Sequence, residues 1–228
     1  MDREKDTDAF IRYLAEDISP VRPLRHPWLR TLAWLALAVP FVAALLLLAS
    51  WRRNLALITP DLPLAIEQAA AFLTGVTAAA AAFGSVVPGY KPRFPLLPAV
   101  PLVVWLGSVG HGCVQDWLQF GANGLALYPD WVCVRVIAVQ GSVPALAMVL
   151  MLRRGVPLTP RVTLALGGLA AAGLGYVGLS MVHAQEASVM VLVWQCGTVF
   201  ALSTLAGLVG PLVMNRRTLL NGAGRALA

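Results

Sequence analysis

Two cysteines, Cys113 and Cys133, bracket an acidic segment of this chain and are its clearest candidates for chemistry. Imidazole and carboxylate side chains occur close to them or in the next turn on the same side: His111, Asp116, Asp130, His183 and Glu186. Thiolates and imidazoles bind soft or borderline metal ions, and two thiols in an oxidising compartment can form a disulfide. Both possibilities require the two sulfurs to meet, which sequence spacing does not establish. A thiol or metal sensor, a purely structural disulfide, and packing of both cysteines as small apolar residues therefore remain open.

The elements that must position these side chains are apolar segments of membrane-spanning length. The chain is 58% hydrophobic and 12% charged, with a mean hydropathy of +0.74, which excludes an ordinary soluble domain. About six stretches approach the ~20 residues that cross a bilayer as a helix. They are predicted at Leu32–Ser50, Ala69–Val87, Phe94–Val109, Val132–Leu152, Val162–Val182 and Ala187–Val213. We expect an all-α membrane protein with six transmembrane helices, preceded by a short cytoplasmic amphipathic helix.

The basic residues predict which side of the membrane each loop occupies. With the N-terminus inside, fourteen of the seventeen lysines and arginines fall in cytoplasmic segments, as the positive-inside rule requires. These are Arg3, Lys5, Arg12, Arg22, Arg25, Arg30, Lys91, Arg93, Arg153, Arg154, Arg161, Arg216, Arg217 and Arg225. The predicted outer loop from Gly110 to Trp131 has no basic residue. Arg135, inside a predicted span, is expected to extend outwards to a nearby acidic side chain.

The first thirty residues form a charged segment, here called the head, with six acidic and six basic residues. Phe10, Ile11, Leu14 and Ile18 share one face of a predicted helix that Asp6 or Thr7 can cap. A helix this short is marginal alone in water, so we expect it to fold on a partner. The predicted helix itself is acidic at Asp8, Glu16 and Asp17 and would be repelled by anionic lipid. A groove on a cytoplasmic protein therefore fits better than the membrane surface.

Prolines determine how the head is expected to continue towards the first span. Pro20 ends the predicted helix, and Pro23 and Pro27 are expected to keep the chain extended from Val21 to Trp28.

Small residues at intervals of four predict close helix packing or, alternatively, a dimer face. The two stripes are Ala71, Gly75 and Ala79 in the second span, and Gly167, Ala171 and Gly175 in the fifth. Tryptophans near span ends, Trp34 among them, predict an interfacial belt.

The order "AFIRYLAEDISPVRPLRHPWLR" ahead of six spans resembles the NrsF-type membrane anti-sigma factors, negative regulators of sigma F. "VRVIAVQGSVPALAMVLMLRRGVPLTP" and "MVHAQEASVMVLVWQCGTV" are similar to the same family, and the resemblance covers essentially the whole chain. It implies that the head holds an extracytoplasmic-function sigma factor at the membrane until an external stress, such as heavy metal or oxidant, releases it. The sigma-factor-binding residues implied are Phe10, Ile11, Leu14, Asp17, Ile18, Pro20, Val21, Arg22, Pro23 and Leu24.

The resemblance also bears on the sensing residues. Cys133 occupies the place of the family's first functional cysteine, and a second is expected beside a histidine shortly after the fifth span. Here His183 is followed by Ala184, so Cys113 or His183 would have to substitute. Cys196, within the sixth span, is interpreted mainly as a core residue.

We therefore expect residues 1–30 to bind the sigma factor, residues 31–213 to form the membrane domain, and residues 214–228 to be a cytoplasmic tail. The expected location is a bacterial inner membrane, with both termini inside. No resident cofactor and no direct nucleic-acid contact are expected, and a metal would act only as a transient signal. No predicted span carries a carboxylate pair, a histidine pair or an HExxH motif, which argues against an enzyme. A small membrane carrier or enzyme, and a structural assembly subunit, are the alternatives.

Overall fold

A computed structural model describes residues 24–53, 61–87, 93–121, 131–155, 159–181 and 191–209, together with Thr7 and Gly89. Within the helices, the side chains of residues 52, 53, 132, 133, 191, 192 and 195 lie outside that description. The regular elements of this part of the chain are all helical. They are α1 (Pro27–Arg53), α2 (Leu62–Gly84), a 3₁₀ turn (Phe94–Leu96), α3 (Ala99–Phe120), α4 (Trp131–Leu152), α5 (Pro160–Ser180), a π-helix (Val191–Cys196) and α6 (Gly197–Val209).

Five helical segments are long and apolar enough to cross a membrane, which agrees with five of the six predicted spans. They are Pro27–Trp51, Leu62–Gly84, Phe94–Phe120, Val134–Leu152 and Pro160–Ser180. The all-helical class is thus confirmed. The predicted sixth span is described only as the π-helix followed by α6, a shorter apolar helix, so six spans remain a prediction.

Several helix boundaries differ from the prediction, and two of the differences have a clear local cause. Helix α2 begins at Leu62 rather than Ala69, because the Asp61 carboxylate accepts a hydrogen bond from the Leu64 N–H at 3.1 Å and caps the helix. Helix α3 continues past Val109 to Phe120 and ends at Gly121, whose φ of 60° favours glycine. The first part of the predicted outer loop is therefore helix, and that prediction was wrong.

Helix α5 lies at the centre of the bundle and contacts α2 through small residues. A Cβ added at Gly75 would lie 3.2 Å from the Ala170 carbonyl oxygen, and one at Gly173 would lie 3.4 Å from that of Ala71. The predicted stripe on the second span thus packs inside the chain. Close backbone approach of this kind drives helix association in lipid, where apolar burial gives little advantage.

The small-residue stripe of α5 faces α4 instead of α2. A Cβ at Gly175 would lie 3.0 Å from the Ile137 carbonyl oxygen, and one at Gly141 would lie 3.4 Å from the carbonyl oxygen of Ala171. A Cβ at Gly167 would meet the Met148 side chain at 2.9 Å. Both predicted stripes therefore serve packing within one chain, rather than a face left open for a second copy.

One face of α1 is buried against this bundle. Arg30, Trp34, Ala38, Val42 and Leu46 occur at intervals of four, and each is at most 9% exposed. On the other faces, apolar side chains remain exposed, as expected for a surface covered by lipid. Examples are Leu32, Leu37, Leu47 and Leu48.

Trp34 attaches α1 to α4 through a hydrogen bond. Its indole Nε1–H donates to the Pro144 carbonyl oxygen at 2.9 Å, and its side chain is fully buried. We expected Trp34 in the interfacial belt, which is wrong because α4 covers this face of α1. Trp51, Trp117 and Trp131 are exposed near helix ends, where a belt requires them.

Replacing Gly175 with leucine should lower the free energy of unfolding by about 1–3 kcal/mol, because backbone atoms of α4 occupy the space. Gly107→Leu on α3 is the matched control, since none of the described residues comes within 4 Å of its Cβ position. Unfolding in detergent micelles, followed by circular dichroism, measures both variants. Equal losses would show that the contact between α4 and α5 does not limit stability.

Trp34→Phe should lower the free energy of unfolding by about 0.6–1.5 kcal/mol, because the hydrogen bond to α4 is lost while most ring packing is kept. Trp51→Phe is the control, since Trp51 is 79% exposed. Unfolding in detergent micelles, followed by circular dichroism, measures the stability of both tryptophan variants. An unchanged stability in Trp34→Phe would mean that this bond does not hold α1 on the bundle.

Candidate functional site

The junction between the head and the membrane domain is an ordered helix start. The N–H groups of Leu29 and Arg30 donate to the His26 carbonyl oxygen at 3.0 and 3.2 Å, and Pro27 is the first residue of α1. Proline is favoured there because its missing N–H would have no partner within the helix. The chain is therefore helical from Pro27, and the prediction of an extended chain is wrong for Pro27 and Trp28. Val21 to Pro23 lie outside the described residues, and that part stays a prediction.

Arg30 connects three helices at this end of the bundle. Its Nη2 donates to the Met151 carbonyl oxygen of α4 at 2.6 Å, and its guanidinium carbon lies 4.6 Å from the centre of the Phe83 ring on α2. Met151 is in the last turn of α4, where carbonyl groups lack helical partners and the helix dipole favours a cation. The side chain is 7% exposed. Arg30 thus belongs to the membrane domain rather than to the head.

Sequence reasoning missed this role because it counted Arg30 only as a cytoplasmic charge. The available signal was its position four residues before Trp34, which places both side chains on one face of α1. A charged residue in line with a buried tryptophan indicates contact with a neighbouring helix. Pro27 to Arg30, which are the first four residues of α1, were predicted to belong to the head.

Of the predicted sigma-factor-binding residues, the described part of the chain contains Leu24 alone. This side chain is half-buried and packs against the core of the bundle, near Val86 and Gly155. The other residues lie outside the described residues and stay predictions: Phe10, Ile11, Leu14, Asp17, Ile18, Pro20, Val21, Arg22 and Pro23.

At the opposite end of the bundle, two of the predicted sensing residues lie on α3. His111 is exposed, and its Nε2 is 3.1 Å from Nε2 of Gln115, one turn further along the helix. Cys113 is half-buried and is a free thiol. The other two predicted members are not described, because His183 and the side chain of Cys133 lie outside the described part of the chain.

The structure brings Cys113 together with two groups that were not predicted as its neighbours. Glu67 on α2 lies within electrostatic range of Cys113 and of Cys196, and the two cysteines also lie within range of each other. Glu67 is 8% exposed and Cys196 is 2% exposed. Cys196 is a free thiol in the hydrophobic core, which confirms its interpretation as a core residue. The juxtaposition depends on the packing of three helices, so spacing along the chain could not indicate it.

This cluster does not by itself form a metal centre. Among the described residues, no group of three histidine, cysteine or acidic side chains is placed to hold a metal ion. A hydrogen bond of 3.2 Å from Gln68 Nε2 to Ser180 Oγ joins α2 to α5 nearby. What the arrangement offers chemically is two free thiols within electrostatic range of a carboxylate, in a region where three helices meet.

Arg135 lies one turn into α4 at the same end. Its side chain is exposed, and its Nε donates to the Trp131 carbonyl oxygen at 3.2 Å. Trp131 is the first residue of α4, so the guanidinium is directed towards the end of the helix. This agrees with a side chain that extends towards the membrane surface.

A comparison with known families bears on the whole arrangement. The family model described as "NrsF: Negative regulator of sigma F" matches residues 14–215. No curated protein and no solved structure matches the chain. The matched range begins at Leu14 in the head and includes all six helices described above, α1 to α6. The chain therefore belongs to the NrsF family of negative regulators of sigma F.

Proposed function

We propose that this protein is a membrane-embedded anti-sigma factor whose head holds an extracytoplasmic-function sigma factor at the cytoplasmic face of a bacterial inner membrane. The observation that carries the proposal is the family match, which spans both the end of the head and the helical bundle. The family's description names a regulator rather than an enzyme, and a sigma factor is the partner that it implies. The five membrane-length helices supply the anchor.

The charge distribution supports a cytoplasmic head. Basic side chains concentrate at the end of the bundle where α1 begins, and this end also contains the segments that join α2 to α3 and α4 to α5. Its described basic residues are Arg25, Arg30, Arg93, Arg153, Arg154 and Arg161. At the other end, Arg135 is the basic residue whose side chain is described. Under the positive-inside rule, the head end is cytoplasmic.

The head is proposed to bind as an amphipathic helix in a groove of the sigma factor. Phe10, Leu14 and Ile18 would supply the apolar anchors, at the spacing that helix-in-groove ligands use. The following run from Pro20 to Leu24 would extend the contact. Because α1 begins at Pro27, only a few residues separate this contact from the membrane domain, so a bound sigma factor is held close to the bilayer.

The Phe10→Ala/Leu14→Ala double variant of the full-length protein should lose sigma-factor binding. Burying one leucine contributes about 1.5–3 kcal/mol, so Leu14→Ala alone should weaken binding at least about tenfold. Glu16→Ala is the matched control, because Glu16 lies on the opposite face of the predicted helix. Affinity is measured with solubilised protein and purified sigma factor.

Two results would contradict the proposed function. Unchanged affinity in the double variant would show that the apolar stripe is not the contact. Recovery of the same partners from solubilised membranes with and without residues 1–30 would favour a membrane carrier, an enzyme or a structural subunit.

Release is proposed to begin at the thiols of the other end. A metal or oxidant that reacts with Cys113 and Cys133, assisted by His111 or His183, would stabilise one packing of the helices over another. Such a signal acts only through its different affinity for the two packings. The exposed His111 and half-buried Cys113 on α3 support access for a reagent from that side.

Cys113→Ser/Cys133→Ser should abolish induction of a sigma-factor-dependent reporter by the thiol oxidant diamide, while basal repression remains. Cys196→Ala is the informative comparison, because Cys196 is a second free thiol within electrostatic range of Cys113 and would be the alternative reaction partner. Loss of induction in Cys196→Ala, with a normal response in Cys133→Ser, would replace the proposed pair by Cys113 and Cys196. A normal response in the double variant would show that the signal does not enter through these thiols.

A further inference from the structure

A cavity of about 700 Å³ lies between the start of α1 and the end of α4, at the head end of the bundle. Its lining combines basic and apolar side chains: Leu24, Arg25, Leu29, Arg30, Ala33, Met151 and Arg154. No acidic residue is among these described lining residues. The cavity therefore has the electrostatic character of an anion site with a hydrocarbon-lined wall.

Arg30 provides the strongest indication of a ligand. Its Nη2 is satisfied by the Met151 carbonyl oxygen, but its buried Nη1 has no hydrogen-bond partner among the residues that the structure describes. A buried cationic N–H without an acceptor is costly, and nearly all such groups in folded proteins find one. Arg25 and Arg154, both exposed, line the same cavity and would repel Arg30 unless an anion lies between them.

We propose that this cavity binds the phosphodiester headgroup of an anionic phospholipid, with phosphatidylglycerol as the chemical type. The planar guanidinium fork matches phosphate oxygens, and basic pockets between transmembrane helices at the cytoplasmic side are suited to lipid headgroups. The apolar part of the lining distinguishes a lipid from a free phosphate. Leu29 is 56% exposed and Leu32, on the same helix, is 60% exposed, which provides a surface for acyl chains.

A lipid at this site would act on the part of the molecule that joins the head to the bundle. The headgroup would bridge Arg30 at the start of α1 and Arg154 just after α4. Leu24, the last residue of the predicted sigma-factor-binding run, lines the same cavity. Lipid composition would thereby influence the position of the head. Lipid binding at this cavity is independent of the proposed function, because it is measured without a sigma factor.

Native mass spectrometry of the full-length protein, delipidated and then supplied with dioleoylphosphatidylglycerol or dioleoylphosphatidylcholine, tests the proposal. One phosphatidylglycerol should be retained preferentially, because choline adds a cation that the three arginines repel. Arg30→Gln and Arg154→Gln should each weaken this retention at least about tenfold, since a charge-assisted hydrogen bond is removed. Arg93→Gln and Arg161→Gln are matched controls at the same end, and neither residue lines the cavity. Circular dichroism and thermal unfolding check the fold of each variant.

Arg154→Gln keeps the test decisive if Arg30→Gln fails to fold, because Arg154 is exposed and lies after the last residue of α4. Equal losses in the Arg93 and Arg161 variants would overturn the site in favour of diffuse attraction. Equal thermal protection by millimolar inorganic phosphate and by phosphatidylglycerol would assign the site to free phosphate. Binding of phosphatidylglycerol only in a Glu16→Gln/Asp17→Asn variant would show that the chain's own acidic head occupies the cavity.

Discussion

The close approach of backbones along α5 is the constraint on which the other contacts of the bundle depend. Gly173 faces α2 and Gly175 faces α4, and two residues advance a helix by roughly 200°, so opposite sides of α5 are used. A larger side chain at Gly173 would force α2 further away, and a larger side chain at Gly175 would force α4 further away. Since apolar burial does little to associate helices within lipid, backbone proximity supplies the dispersion contacts that hold α2 and α4 in place.

The position of α1 follows from the positions of α2 and α4. Trp34 donates to a carbonyl of α4, while Arg30 contacts α4 through Met151 and α2 through Phe83. These contacts lie within the first two turns of α1, at the end that continues into the head. The remainder of that face is lined by small or aliphatic side chains, as at Ala38. The start of α1 is therefore specified by directional contacts, and its later turns by apolar packing.

Much of this architecture could be predicted from the sequence, because hydropathy and small-residue spacing report local properties. Apolar length indicated the membrane helices, and intervals of four indicated which faces of α2 and α5 pack. Hydropathy could not indicate that Arg30 and Trp34 are covered, because it assigns charged and aromatic residues to the interface regardless of neighbours. It also excluded Glu67 from the second span, although the cap at Asp61 starts that helix earlier. The electrostatic proximity of Cys113 and Glu67 arises from helix packing, and spacing along the sequence does not indicate it.

The two ends of the molecule are connected by α2. Glu67, near the thiols, and Phe83, beneath Arg30, are both on this helix, about 24 Å apart at a rise of 1.5 Å per residue. A packed helix moves largely as a unit, so displacement of α2 at the thiol end changes the distance from Phe83 to Arg30. A cation–π contact contributes about 0.5–2 kcal/mol, and a tenfold change in partner affinity corresponds to about 1.4 kcal/mol. Under the proposed function, in which the sigma-factor-bound state keeps Arg30 over the Phe83 ring, loss of this one contact would be of the magnitude that a tenfold weakening of partner binding requires.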